Sequence, residues 1–233
     1  IIEKQGIRFG FLQRTSQYWP NHHEAQEFFP GVAAMKAYTA YQPPYYKDNN
    51  IPPNRPGAPA KIVTWTDRDY LAAYQKDIAA LKARADFVIA SHHWGYGQDI
   101  LDYQVEIAHA AVDAGADAVM GHGPHYALAV EFYQGKPVYY GLGSFCFIKS
   151  NKKQHRSWVG MIARLEVEKS RVLQAGYSLV RQNADMETVL CTVEQEAAEI
   201  ARLQAQSEKF GTVMQPAGDR VLLSTKALAG RAA

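Results

Sequence analysis

The chain has few cysteines and no long apolar segment. Cys146 and Cys191 are the only two cysteines among 233 residues, too few for a disulfide framework, and we expect both to be buried thiols. No apolar run approaches the roughly 20 residues that a membrane-spanning helix requires. No secretory signal is recognisable at the first residues of this sequence. The sequence therefore predicts a soluble domain, either cytoplasmic or extracytoplasmic, with no transmembrane segment in this chain.

A charge excess of either sign is also lacking. The 25 Lys and Arg residues nearly balance 23 Asp and Glu residues, which leaves a net charge of +2. A dedicated nucleic-acid-binding domain usually carries a strongly basic face, so we expect no nucleic-acid partner. One local basic cluster stands out, comprising Lys149, Lys152, Lys153 and Arg156, with His155 among them. It is either a solvated loop or a surface that attracts a polyanionic, carboxylate-bearing or phosphate-bearing substrate.

The middle of the chain predicts a βαβ unit. Residues 86–91 and 116–120 are apolar runs of strand length, and residues 100–114 show helical spacing that ends at Gly115. Such a crossover is right-handed and its two strands are parallel. The residues that follow the two strands therefore emerge at the same edge of one sheet, where α/β enzymes place their functional groups.

Histidines follow both predicted strands. His92 and His93 end the first, and His122 and His125 follow the second, with glycine on both sides of His122 and Pro124 before His125. Adjacent residues of a strand point to opposite faces, so at most one of His92 and His93 can face a common site. Neighbouring strands lie about 4.8 Å apart, which lets imidazoles from both loops reach one metal ion. Alternatively, these histidines only satisfy hydrogen bonds in a structural domain.

Other segments predict further elements around this unit. They are a first strand over residues 7–13, a helix over 67–83, a hairpin that turns at Gln134–Gly135, a second hairpin that turns at Lys169–Ser170, and a helix over 192–210. The length is most simply that of one domain, residues 1–233.

Three segments carry a family resemblance. SHHWGYG, YQVEIAHAAVDAGADAVMGHGPH and VEFYQGKPVYYGLGSFCF, in this order, resemble the second half of the bacterial poly-gamma-glutamate capsule biosynthesis proteins of the CapA type. The resemblance implies a metallophosphoesterase-like α/β sandwich with mixed sheets. The Gly-Asp and Asn-His motifs with which family members begin have no counterpart upstream of His93. We therefore expect the domain to be N-terminally incomplete and to lack the first strands.

The resemblance also implies the roles of individual residues. His93, His122 and His125 match metal-site histidines, and Glu131 and Ser144 would surround these ligands without binding the metal. Ser144 stands where the family has asparagine. The metal would be a divalent Zn, Mn or Fe ion, since neutral imidazoles with oxygen ligands suit all three. Either His92 or His93 could act as a general acid near neutral pH.

The resemblance points to metal-dependent hydrolysis in poly-gamma-glutamate capsule biosynthesis, with a metal-bound hydroxide as the attacking group. Its partners would be an anionic polymer or a small anionic substrate, and proteins of capsule synthesis. Two alternatives stay open: a phosphoesterase on the same scaffold, and a non-catalytic module that binds a polyanion or a partner protein through a degenerate metal site.

Overall fold

The computed structural model describes residues 1–19, 23–43, 56–146 and 158–225. Within these ranges the protein is an α/β sandwich with mixed sheets, as expected. In chain order its elements are β1 (Ile2–Lys4), β2 (Ile7–Thr15), β3 (Ala37–Gln42), β4 (Lys61–Thr66), α1 (Arg68–Lys82), β5 (Phe87–His93), α2 (Asp102–Asp113), β6 (Ala118–His122), β7 (Val130–Tyr133), β8 (Lys136–Tyr139), β9 (Gly160–Glu168), β10 (Arg171–Gln182), β11 (Thr188–Leu190), α3 (Ala197–Ser207) with a 3₁₀ turn (Glu208–Phe210), β12 (Thr212–Ala217) and β13 (Arg220–Thr225).

A six-stranded mixed sheet forms the centre, in the order β1-β2-β5-β6-β8-β7. Strands β2, β5, β6 and β8 are parallel, whereas the outer strands β1 and β7 are antiparallel to their neighbours. A second sheet contains β11, β10, β13 and β12 in that order, with β9 paired to β10, and β3 pairs with β4 alone. The predicted βαβ unit is confirmed, because β5 and β6 are parallel neighbours joined through α2.

Two hydrophobic cores lie on opposite faces of the central sheet, because successive strand residues point to opposite faces. The first core packs helices α1 and α2 against one face and includes Ile78, Val88, Ala90, Ile107 and Val119. The second packs the second sheet and α3 against the other face and includes Val130, Tyr139, Tyr177, Leu203 and Leu223.

Helix α1 shows how local sequence sets an element boundary. The carboxylate of Asp67 accepts hydrogen bonds from the backbone N–H groups of Asp69 and Tyr70, which caps the helix. One turn apart, Tyr74 and Ile78 are buried against the sheet. The predicted helix over residues 67–83 is thus confirmed.

Both predicted hairpins are confirmed as β7–β8 and β9–β10. Helix α3 begins at Ala197, five residues later than the predicted start at residue 192, because residues 193–196 form turns. The expectation of two buried thiols is wrong: Cys146 is exposed and Cys191 is half-buried. In the described ranges, no helix is long and apolar enough to cross a bilayer.

Candidate metal centre

His93 and His122 meet at the ends of two parallel strands. They are register partners in the β5–β6 ladder, so their side chains share one face of the sheet. Their Nδ1 atoms lie 3.2 Å apart, and their ring planes meet at 74° with centroids separated by 5.1 Å. This is the edge at which the sequence predicted the two histidine groups to converge.

The spacing of the two nitrogens suits a shared metal ion. Histidine nitrogens bind zinc at about 2.0–2.1 Å, so two of them in a tetrahedral site lie about 3.3 Å apart. The second nitrogen of His122, Nε2, is 3.2 Å from the hydroxyl of Ser91. Ser91 was not identified from the sequence, although it lies two residues before His93 and therefore on the same strand face. Such a contact would fix the orientation of the His122 ring.

The surroundings favour neutral imidazoles. Burial lowers the pKa of His93, and the nearby His125 lowers it further. Burial and the nearby His93 lower the pKa of His122 in the same way. A lowered pKa means that these rings are neutral at pH 7, which is the form that binds a metal ion.

The loop after β6 passes so close to β5 that only glycine fits after His122. Gly123 has a φ of +120°, and a Cβ atom there would lie 2.5 Å from the backbone oxygen of Trp94. Two residues later, the exposed His125 adopts a left-handed conformation with a φ of 63°. Its Nδ1 is 3.1 Å from the hydroxyl of the buried Ser144. Ser144 is therefore placed to orient the His125 ring.

The three predicted metal histidines do not form a complete ligand set. Among the residues that the structure describes, no group of three or more His, Cys, Asp or Glu side chains is arranged to hold a metal ion. His93 and His122 fit two ligand positions, whereas His125 is directed to Ser144. The three-histidine site stays a prediction that needs a movement of His125 or ligands from elsewhere.

His92 lies on the opposite face of β5, as strand alternation requires. Its side chain is fully buried, and its Nε2 is 2.6 Å from the hydroxyl of Tyr74. Burial lowers the pKa of His92 to about 3. The general-acid role considered for His92 does not fit this position, because the sheet separates its ring from the site. His93 is the one of the two that faces it.

Glu131 also lies on the helix-covered face of the sheet. Both of its carboxylate oxygens are 3.1 Å from Nε2 of His109 on α2, and one accepts a hydrogen bond of 2.6 Å from the hydroxyl of Tyr140. This placement corrects the expectation that Glu131 surrounds the metal histidines directly. His109 and Tyr140 lie within the segments that carry the family resemblance, but the sequence analysis assigned neither of them a role. The four basic residues proposed to bind substrate, Lys149, Lys152, Lys153 and Arg156, lie outside the described residues.

A comparison with protein families matches residues 1–149 to a family described as bacterial capsule synthesis protein PGA_cap. The match covers more than half of the chain. The chain belongs to this family. The resemblance stated from its motifs is confirmed, and with it the metallophosphoesterase-like α/β fold and the relation to capsule and poly-gamma-glutamate biosynthesis proteins.

Curated relatives match a shorter part of the chain. A segment of 72 residues is 43% identical to the PGA biosynthesis protein CapA of Bacillus subtilis (strain 168), which is 30% of this chain and 19% of that protein. A probable polyglutamine synthesis accessory protein of Mycobacterium tuberculosis (strain CDC 1551 / Oshkosh) is 38% identical over 78 residues, 33% of this chain and 20% of that protein. The capsule biosynthesis protein CapA of Bacillus anthracis is 40% identical over 68 residues, 28% of this chain and 16% of that protein. Each match thus spans about a fifth or less of the relative.

Proposed function

We propose that this PGA_cap protein is a metal-dependent hydrolase that acts on an anionic polymer of the poly-gamma-glutamate type during capsule synthesis. The observation that carries the proposal is the 3.2 Å approach of Nδ1 of His93 to Nδ1 of His122 at the edge of the parallel strands. Two neutral imidazoles at this separation match two neighbouring ligands of one divalent ion.

The residues of the site have separate tasks in this proposal. His93 and His122 hold the ion through ring nitrogens, and Ser91 keeps the His122 ring in its orientation. His125 supplies a further ligand through its other ring nitrogen, Nε2, when the loop after β6 moves toward the pair, while Ser144 keeps its contact with Nδ1. When bound, a divalent Zn, Mn or Fe ion lowers the pKa of a water molecule toward about 7 and polarises a carbonyl or phosphoryl oxygen.

The anionic substrate class is supported by two observations. The curated relatives include proteins named for PGA and capsule biosynthesis. The sequence also places Lys149, Lys152, Lys153 and Arg156 within the 12 residues that follow Ser144. Lysine and arginine side chains near a site raise the local concentration of a polymer that carries carboxylates. A phosphate ester would be attracted by the same charges.

The first test is the metal content of the purified 233-residue chain. The protein is exposed to Zn and Mn, loosely bound ions are removed, and the remaining metal is measured by elemental mass spectrometry. We expect close to one equivalent in the wild type and a loss of metal in His93→Ala and His122→Ala. The exposed His23 provides the matched control, because His23→Ala removes an imidazole outside the pair. A wild type that is free of metal would contradict the proposal.

A second test separates the chemistries that the scaffold could perform. The metal-loaded protein is assayed with a gamma-linked glutamate peptide and with chromogenic phosphate esters. Release of glutamate that requires His122 supports the proposed hydrolase. Turnover of phosphate esters alone would identify a phosphoesterase. A protein that binds poly-gamma-glutamate equally well after His93→Ala and His122→Ala, and hydrolyses neither substrate, would be a binding module.

A further inference from the structure

Trp94 ties together three strand ends directly behind the His93–His122 pair. It follows His93 in the chain and its side chain is fully buried. Its backbone N–H donates a 2.8 Å hydrogen bond to the backbone oxygen of His122. Its indole Nε1–H donates a 2.9 Å hydrogen bond to the backbone oxygen of Tyr140, just after β8. One residue thus connects the ends of β5, β6 and β8.

The indole is closely packed on all the sides that these contacts describe. It passes so close to Gly121 that a Cβ atom there would lie 2.4 Å from Nε1 of Trp94. One face of the indole stacks on the ring of His92 at 4.9 Å, and the ring of Tyr140 stacks at 6.2 Å. Because Gly121 directly precedes His122, the position of the indole and that of the second histidine are coupled.

Tyr140, whose backbone oxygen accepts the indole hydrogen bond, makes further contacts on the helix-covered face of the sheet. The hydroxyl of Tyr140 donates a 2.6 Å hydrogen bond to Glu131, and the same carboxylate faces Nε2 of His109. The ring of Tyr140 also stacks on Phe210 at 5.3 Å. A continuous set of contacts therefore runs from α2 through Glu131, Tyr140 and Trp94 to the backbone of His122. Glu131 is thereby linked to the backbone of His122 through Tyr140 and Trp94.

We infer that Trp94 is a positioning residue that holds His93 and His122 at the separation required to share one metal ion, and that Glu131 acts through Tyr140 to support it. This inference rests on the proposed metal role of the two histidines. Because its indole is buried and its N–H is bonded to Tyr140, we assign Trp94 no contact with the ion or a substrate. The alternative is that Trp94 only fills the hydrophobic core, in which case its loss would lower stability without a specific effect on the histidines.

Trp94→Phe is the main test, because it removes the indole N–H and leaves the backbone oxygen of Tyr140 without this donor. We expect an affinity for Zn at least about 10-fold weaker than that of the wild type, with an unchanged far-ultraviolet circular dichroism spectrum. Leu203→Ala is the matched control, since Leu203 is fully buried in the second core. Its affinity for Zn should change less than about 3-fold even though its stability falls. Equal losses of affinity in both variants, or wild-type affinity in Trp94→Phe, would overturn the inference.

A measurement on metal-free protein separates this inference from the proposed function. The ¹⁵N chemical shifts of the imidazole nitrogens report directly on the His93–His122 contact. We expect these shifts to change in Trp94→Phe, while those of His23 stay constant, even if the wild type binds no metal. Unchanged shifts for the pair would contradict the inference. Should Trp94→Phe not fold, Tyr140→Phe removes only the bond to Glu131, and we expect smaller changes of the same kind.

Discussion

The hydroxyl of Ser144 lies 3.1 Å from Nδ1 of His125, and it joins the segment after β8 to the loop after β6. Contacts of this type orient a metal-binding histidine and typically change metal affinity by about 10- to 100-fold when they are removed. The contact therefore connects a residue that departs from the family pattern with the third histidine of the predicted metal site.

Removal of the Ser144 hydroxyl is expected to weaken metal binding. Ser144→Ala should lower the affinity for Zn about 10-fold, because the His125 ring loses the contact of its Nδ1 with this hydroxyl. Ser144→Asn restores the family residue, and its amide can bond the ring again, so it should bind Zn nearly as well as the wild type. The buried Ser178, which bonds Arg164 in the second sheet, supplies the control Ser178→Ala. Isothermal titration provides the affinities, and wild-type binding by Ser144→Ala would exclude this role.

The close passage of the loop beside Trp94 predicts that Gly123 tolerates no side chain. Gly123→Ala combines a φ of +120° with a Cβ atom 2.5 Å from a backbone oxygen, so the loop must move. At Gly135, φ is also positive, at 74°, but an added Cβ atom would meet nothing within 4 Å. Gly135→Ala should therefore cost only about 1 kcal/mol of unfolding free energy, and Gly123→Ala more than about 2 kcal/mol. Urea denaturation measures both; equal costs would contradict the steric explanation.

The buried His92 predicts a specific loss of stability in acid. Because its pKa is about 3 when folded, against an ordinary value of 6.5, the unfolded chain binds the proton more readily between these values. Above pH 6.5 His92 has no such effect on stability. Between pH 6.5 and pH 3 it lowers the free energy of unfolding by up to about 1.4 kcal/mol for each pH unit of acidification. In His92→Gln the amide can accept from Tyr74 and does not titrate. The stability difference between the two proteins should therefore shift in favour of the variant between pH 7.5 and pH 4.5, as measured by urea midpoints. A constant difference would contradict this.

A buried carboxylate lies where β5 and β6 begin, at the ends of these strands that are far from the histidines. Asp117 is 2% exposed and pairs with Lys82 at 2.5 Å and Lys136 at 2.8 Å, and it also accepts a hydrogen bond from the N–H of Val88. Asp117→Ala leaves the buried N–H of Val88 without this acceptor and removes the partner of both lysines, and it should cost about 2–3 kcal/mol. The exposed Asp219 pairs only at the surface with Arg220 in the described contacts, so Asp219→Ala should change the thermal midpoint little. Similar midpoints for the two variants would contradict the assignment.

The elements that the sequence predicted best are those whose patterns are local. The apolar run that became β5, the helical spacing of α2 and the turn at Gln134–Gly135 each lie within one element, and each was confirmed. The β3–β4 pair and the β12–β13 hairpin were not predicted. The polar and exposed residues of β3, such as Thr39 and Gln42, show no clear alternation of apolar and polar positions. The strand structure of β3 depends on pairing with β4, a distant segment of the chain.

The sequence by itself determined that His93 and His122 emerge at one edge of a parallel sheet, because strand period and crossover handedness follow from backbone geometry. It also determined that His92 and His93 point to opposite faces. Only the tertiary structure decided that His92 is the one buried beside Tyr74. It also decided that Ser91 contacts His122, and that Glu131 lies beside His109 on the helix-covered face of the sheet. These outcomes depend on contacts between residues far apart in the chain. Such contacts are set by the packing of helices and sheets against both faces, which no local pattern of residues encodes.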